Sequence, residues 1–431
     1  MQNNHLDKRN FYNIHDIVTV DSQIPLYELE YFRVRELGGK ANLVVNIKNG
    51  IGRNSGLFHT RRRIIDDDYA RENKIKYTEH LGPFGSQFSI DFSSPIIITV
   101  NALIARSRYV LYVNLVEPLL RFLIISKGHV LLHSACIATS DQKANDQNSV
   151  LLSAPPDTGK TTTVIKCIRQ GLGFLSDDMT IITPHQESLC FPKPMTISAH
   201  TFHAAIEDDS GDGISVTDNA LSNTDSSSLL SDPSPASVSQ FKDQESETTT
   251  SFGGRTNLSR SQNSNEHGRG GLRLRSMVHS KGGRQFMRKL GNRNVPIFTI
   301  NTLGQSIIKP PKFKIEDIVR QPIKVVPKAS VGSFFFIERG SGEEITSLSK
   351  DEALRRAIEN SDDAFLFPPY KDILRYLNIN GASASELLLQ EKNMIAKLLE
   401  KIDTKVIRSE SRSWYKAVLD HFLSSKLVDF C

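Results

Sequence analysis

The run Ser149–Asp178, SVLLSAPPDTGKTTTVIKCIRQGLGFLSDD, constrains this chain more than any other part of it. Ser149–Ala154 is a short apolar run and predicts a buried strand. Ala154–Thr161 then spells A-x-x-x-x-G-K-T. Thr162–Gln170 has the composition of a helix that Gly171 or Gly173 ends. The phosphate-loop pattern is G-x-x-x-x-G-K-[ST], so the last three positions match and Ala154 stands where glycine is usual. The chemistry calls for a strand, a turn of converging backbone N–H groups, and a helix N-terminus facing an anion. Gly159 lets the backbone approach the phosphates, Lys160 reaches the β- and γ-phosphates, and the Thr161 hydroxyl binds Mg²⁺. With Asp157, Thr158 and Thr162 these residues form the expected cradle for ATP and Mg²⁺.

The following run, Gly173–Asp178, ends in paired aspartates and leads into a second β run, Met179–Ile182. Phosphoryl transfer has use for two carboxylates: one holds the metal, the other takes the proton of the acceptor hydroxyl. Asp177 is assigned as the base and Asp178 as the metal ligand, with the reverse assignment open. His133 lies on an apolar run, His129–Thr139 (HVLLHSACIAT). It is a candidate to orient the catalytic aspartate or to contact phosphate; a hydrogen-bonded core histidine is the plainer alternative.

These residues resemble the kinase core of HPr kinase/phosphorylase, which shares its nucleotide-binding fold with phosphoenolpyruvate carboxykinase. In that family a histidine sits on the strand before the P-loop strand, the loop ends in GK[ST], and a paired-aspartate strand follows the helix. The matching residues here are His133, Gly159-Lys160-Thr161 and Asp177-Asp178. The resemblance covers 128–200 and resumes over 270–345. It departs at Ala154 and at Thr162, where that family often has an acidic residue, and its C-terminal signature is not found. The resemblance implies an α/β fold with a phosphoenolpyruvate carboxykinase-like P-loop core and a mixed β-sheet. It also implies ATP-dependent transfer of phosphate to a hydroxyl, on a protein serine or a small molecule. Two alternatives stay open: a non-catalytic ATP-binding scaffold, and a carboxykinase-like enzyme acting on a small acid.

Around this core the composition changes. Residues 1–116 read as a β-rich module, with short strands at Ala41–Ile47, Phe88–Phe92 and Pro95–Val100 between turn clusters. Tyr109–Ser126 is the most apolar stretch and predicts a buried strand followed by a helix. It does not predict a membrane span, because it carries Asn114, Glu117, Pro118 and Arg121. The core is expected over 117–204 and 269–345, with strands at Pro296–Ile300 and Val331–Gly340. Between them, 205–268 reads as a disordered insertion. Glu207–Glu247 holds ten acidic residues against one lysine, and Gly253–Arg293 holds ten Lys and Arg against one Glu. Such segments bury too little apolar surface to offset their ordering entropy. Residues 346–431 are expected to be helical. Ser349 and Glu352 stand at capping-box spacing, and Trp414 anchors a final amphipathic helix.

A formal charge of +5 over 431 residues gives no reason to expect nucleic acid. The triplet Arg61–Arg63 beside Asp66–Asp68 reads as a solvated, internally paired turn. Cys136, Cys167, Cys190 and Cys431 are widely spaced, which fits a reducing compartment. With no apolar leader in the first twenty residues, a cytoplasmic protein is expected. Lys312 and Arg320 are candidate cations for a transferring phosphate. Arg273, Arg275, Arg284 and Arg288 could bind an anionic substrate, although a solvated basic linker is the plainer reading. The acceptor is not legible in the sequence, and a homo-oligomer is left open.

Overall fold

The computed structural model describes residues 9–48, 62–64, 73–139, 148–155, 158–195, 296–307, 312–319, 322–365 and 369–428. All belong to one compact unit of the chain, Met1–Ile206 with Arg273–Cys431. The segment 205–268, Asp157, Arg320 and the arginines at 273, 275, 284 and 288 lie outside the described residues.

In the N-terminal module β1 (Asn10–Ile14) and β2 (Val18–Ser22) alternate buried and half-buried positions residue by residue. That period of two marks a sheet with one packed face. The sheet continues with β3 (Arg33–Val34), β4 (Leu43–Ile47), β5 (Arg62–Ile64), β6 (Lys74–Leu81), β7 (Phe84–Asp91) and β8 (Ile96–Val100). Their spatial order is β3-β1-β2-β4-β8-β7-β6-β5. A 3₁₀ turn, Tyr27–Phe32, buries Glu28 beneath the sheet edge.

Asn101 caps a short helix α1 (Ala102–Arg106) by accepting the Ile104 N–H. Helix α2 then spans Arg108–Ser126, with a π-helical turn at Tyr112–Val116. The strand expected at the start of this stretch is replaced by helix: its apolar residues run on without alternation and beyond strand length. Among the described residues α2 alone is long and apolar enough to cross a membrane, and 83% of its apolar window is buried inside the fold.

The second sheet carries β9 (Val130–Leu132), β10 (Ala135–Ala138), β11 (Asn148–Ser153), β12 (Gly173–Ser176), β13 (Thr180–Ile182), β14 (Glu187–Leu189) and β15 (Lys328–Arg339). Its order is β12-β10-β11-β15-β14-β13-β9. Helix α3 (Lys160–Arg169) follows β11. Before β15 come α4 (Ile297–Ile307) and α5 (Ile315–Val319). After it come β16 (Glu344–Ser347), α6 (Lys350–Ala364), α7 (Tyr370–Leu374), a small hairpin β17 (Asn378–Ile379) with β18 (Ala382–Ser383), α8 (Ala384–Lys401), β19 (Asp403–Ser409) and α9 (Trp414–Val428). The C-terminal region is therefore not helical alone, because β19 pairs parallel with β15 inside the sheet.

The run FFFI in β15 is buried on both faces, as a central strand requires. Phe335 and Ile337 pack with α3, α5 and α9, whereas Phe334 and Phe336 pack with α6 and α8. Helices thus cover both faces of a mixed sheet. Pro296–Ile300, read as a strand, starts helix α4: Phe298 packs edge-on against Tyr77 and Phe88, and Thr299 bonds to Glu79 of β6 through its N–H and its hydroxyl. Five apolar residues do not separate strand from helix, and here the tertiary partner decides. Ser349 caps α6 as expected, its hydroxyl accepting the Glu352 N–H. Ser383 and Glu386 form a full capping box at α8.

Candidate functional site

Strand direction brings the site together. β10 is antiparallel to both β11 and β12, so β11 and β12 point the same way and end at one sheet edge. Ser153 leads from β11 toward Gly159 and Lys160 at that edge, and Ser176 leads from β12 into Asp177 and Asp178. The apolar run His129–Thr139 is not one strand. It breaks between β9 and β10, which pair with different partners, and His133 sits in the break beside the same edge. Ligands of open α/β sheets bind in such crevices beyond the carboxyl ends of strands.

Gly159 precedes α3 with φ of +141°, and an added Cβ would stand 2.5 Å from the Trp414 ring. A turn this tight under an indole admits only glycine. Thr163 holds the turn, its N–H and hydroxyl both donating to the Gly159 carbonyl at 2.9 and 3.0 Å. The first N–H groups of α3 have no intrahelical acceptor, by helix geometry, and face the edge where Lys160 and Thr161 lie. Thr158 and Thr162 are buried beside them, and Ala154 packs into the core under the loop.

Five side chains converge there. Thr161 Oγ1 donates to Asp177 Oδ2 at 3.0 Å. The other oxygen of Asp177 is buried with no hydrogen-bond partner. The Lys160 ammonium, its side chain 13% exposed, also lacks a hydrogen-bond partner and stands 3.8 Å from Asp178 Oδ1. His133 Nε2 lies 3.2 Å from the same oxygen, and its Nδ1 lies 3.0 Å from the Asn360 carbonyl. Buried polar groups without hydrogen-bond partners are costly, and this edge holds two of them beside a pair of carboxylates.

The two aspartates are tuned apart. Burial pushes Asp177 up to about 6; Asp178 adds to this, while Lys160 and the Thr161 hydrogen bond oppose it. Burial also works against ionised Asp178, but Lys193, the His133 hydrogen bond and Lys160 outweigh it and hold that carboxyl well below the usual range. Burial lowers the His133 imidazole, and nearby Lys160 lowers it further.

Sequence reasoning missed two members. Lys193 bridges Glu117 Oε1, at 2.8 Å, and Asp178 Oδ2. The main chain carries it there: the Phe191 N–H bonds to the Leu175 carbonyl at 2.9 Å, two residues before the aspartates, and prolines flank Lys193. Asn360 of α6 donates to the His133 carbonyl at 2.8 Å and to Ser153 Oγ at 2.9 Å, tying histidine to P-loop strand. A lysine fixed between prolines was the one available signal. Of the other expected cations, Lys312 is engaged by Glu28 and lies over the Tyr27 and Tyr109 rings. Trp414 is fully buried and donates its indole N–H to the Glu338 carbonyl at 3.0 Å.

Among the described residues no group of three or more His, Cys, Asp or Glu side chains is placed to hold a metal. Thr161 with Asp177 is a two-oxygen set of the kind that holds Mg²⁺ together with phosphate and water oxygens. No protein-family model matches the chain, and no curated protein or solved structure is found similar to it.

Proposed function

We propose that the protein is an ATP-dependent phosphotransferase of the kind the HPr kinase resemblance implies, moving the γ-phosphoryl group to an acceptor hydroxyl. The observation that supports this most is the convergence, at one sheet edge, of a Lys160 ammonium that makes no hydrogen bond, the Thr161–Asp177 pair and an Asp178 held ionised by cations. Lys160 would bind the β- and γ-phosphates. Thr161 and Asp177 would hold Mg²⁺, which when bound neutralises phosphate charge. Asp178 stays ionised at neutral pH and would take the acceptor's proton, with His133 orienting it. This exchanges the two aspartate roles first expected, and what supports it is that Asp177, not Asp178, pairs with the Thr161 hydroxyl assigned to the metal.

The transfer balances without covalent chemistry from the protein. The acceptor oxygen bonds to the γ-phosphorus while the bond to the β–γ bridging oxygen breaks. The electron pair leaves on the nucleoside diphosphate, and the acceptor's proton goes to Asp178. Positioning and charge neutralisation then supply the rate. Incubation with γ-labelled ATP and cell extract, followed by mass spectrometry of labelled species, tests this. One acceptor labelled by the native protein and not by Asp178→Asn is expected. Tight ATP binding with no labelled acceptor and no hydrolysis would leave a non-catalytic nucleotide-binding protein.

A further inference from the structure

We propose that Lys193 is a second cation of the phosphoryl site, contacting the transferring group, and that Glu117 is the positioning residue that holds it there. This assignment rests on the phosphotransferase reading. Lys193 is 12% exposed and Glu117 is 3% exposed. Burying an ammonium is costly unless carboxylates meet it. Here two do, from different elements: Glu117 directly after the π-helical turn of α2, and Asp178 at the end of β12. A π-turn inside an otherwise regular helix is frequent at functional sites.

An ammonium has three N–H donors. Glu117 and Asp178 take two, the Tyr112 ring lies 5.6 Å from the ammonium, and the third N–H is the one assigned to an oxygen of the group beside Asp178. Lys160 lies on the other oxygen of Asp178, so the two lysines flank the carboxylate that takes the acceptor's proton. A phosphoryl group in flight spreads its charge over three equatorial oxygens, and cations on both sides are what such a transition state needs. Lys312, the cation expected from sequence, is held by Glu28 rather than by either aspartate of the site. Lys193 keeps its proton throughout: burial opposes the charge, but Asp178 and Glu117 outweigh it and raise the ammonium above its ordinary range.

Glu117 makes the arrangement responsive to pH. Burial pushes its carboxyl up to about 7, Lys193 opposes this, and Asp178 and Glu28 push it further up. The groups facing it are Lys193 from the segment after β14, Asp178 from the end of β12, Glu28 from the 3₁₀ turn, and Tyr112 of its own helix. Once Glu117 is protonated, Lys193 leans on Asp178 alone.

The test is single-turnover hydrolysis of Mg·ATP, with water as acceptor, and calorimetric Mg·ATP binding, on the full chain and the variants Lys193→Met, Lys193→Arg and Glu117→Gln. Lys193→Met is expected to slow turnover roughly 10²–10³-fold while ATP binds within about threefold of native. Lys193→Arg should recover part of the rate. The native rate is expected to fall on the acid side near pH 7, and Glu117→Gln to lose that fall. Native turnover in Lys193→Met would overturn the assignment, as would an unchanged pH profile in Glu117→Gln. A native protein that binds no ATP would instead bring down the underlying reading, a result the binding arm distinguishes.

Discussion

The indole of Trp414 occupies the space a side chain on Gly159 would need, with its ring 2.5 Å from where a Cβ would be. Helix α9 thus closes over the turn that leads into α3. Trp414 is the only tryptophan, so its emission reports on that turn. Saturating Mg·ATP is expected to change the intensity or shift the maximum, and Gly159→Ala to abolish the response. Because φ there is positive and the neighbour is a buried ring, that substitution should also cost about 1–3 kcal/mol by denaturant titration.

Lys160→Met separates binding from folding. The native ammonium is buried without a hydrogen bond, and an apolar chain of similar length removes that burden while also removing a neighbour of Asp178. The thermal midpoint is expected to stay within a few degrees of native or rise. A drop of ten degrees or more would mark Lys160 as structural.

Asp177 sets a pH dependence with a definite sign. Its folded carboxyl is raised to about 6, against an unfolded value of about 4. The folded form therefore holds its proton more tightly. The stability from this group is full below about pH 4 and is lost as pH rises through 6. Two pH units correspond to on the order of 1–3 kcal/mol. Asp177→Asn does not titrate, so in metal-free buffer it should gain on the native protein between pH 4.5 and pH 7.5 in urea unfolding. A native protein that gains on the variant over that interval would show the carboxylate to be better solvated than its burial implies.

Arg121 is fully buried in α2 and forks onto Glu391 of α8, at 2.9 and 2.6 Å, with Tyr370 at 3.2 Å and the Phe365 ring beneath. Removing Arg121 strands buried Glu391, whereas removing Glu391 leaves Arg121 with the half-exposed Asp362 at 3.3 Å. Arg121→Met and Glu391→Gln are each expected to lose about 3–5 kcal/mol in equilibrium unfolding, and the double variant to lose less than the sum.

The strand, loop and helix around Lys160 were legible because each is local: an apolar run, a glycine and a lysine at fixed spacing. The paired aspartates were legible as residues, while the different surroundings of the two were not. Those come from Thr161, His133 and Lys193, and the last arrives from fifteen residues downstream through a main-chain bond to Leu175. The helix at Pro296–Ile300 and the break at His133 escaped for the same reason. A short apolar run takes its form from its partners, and those partners, Tyr77 and Phe88 in one case and β13 in the other, are distant in sequence.

Calorimetric titration of the full chain with Mg·ATP, run in parallel on Lys160→Met and repeated with the metal chelated, tests the central claim most directly. Saturable one-to-one binding by the native protein is expected, weakened at least a hundredfold by the substitution and strongly reduced without Mg²⁺. Folded native protein that binds no Mg·ATP at millimolar nucleotide, or binds it equally well with Met at 160, would contradict the claim that this sheet edge is a phosphate site.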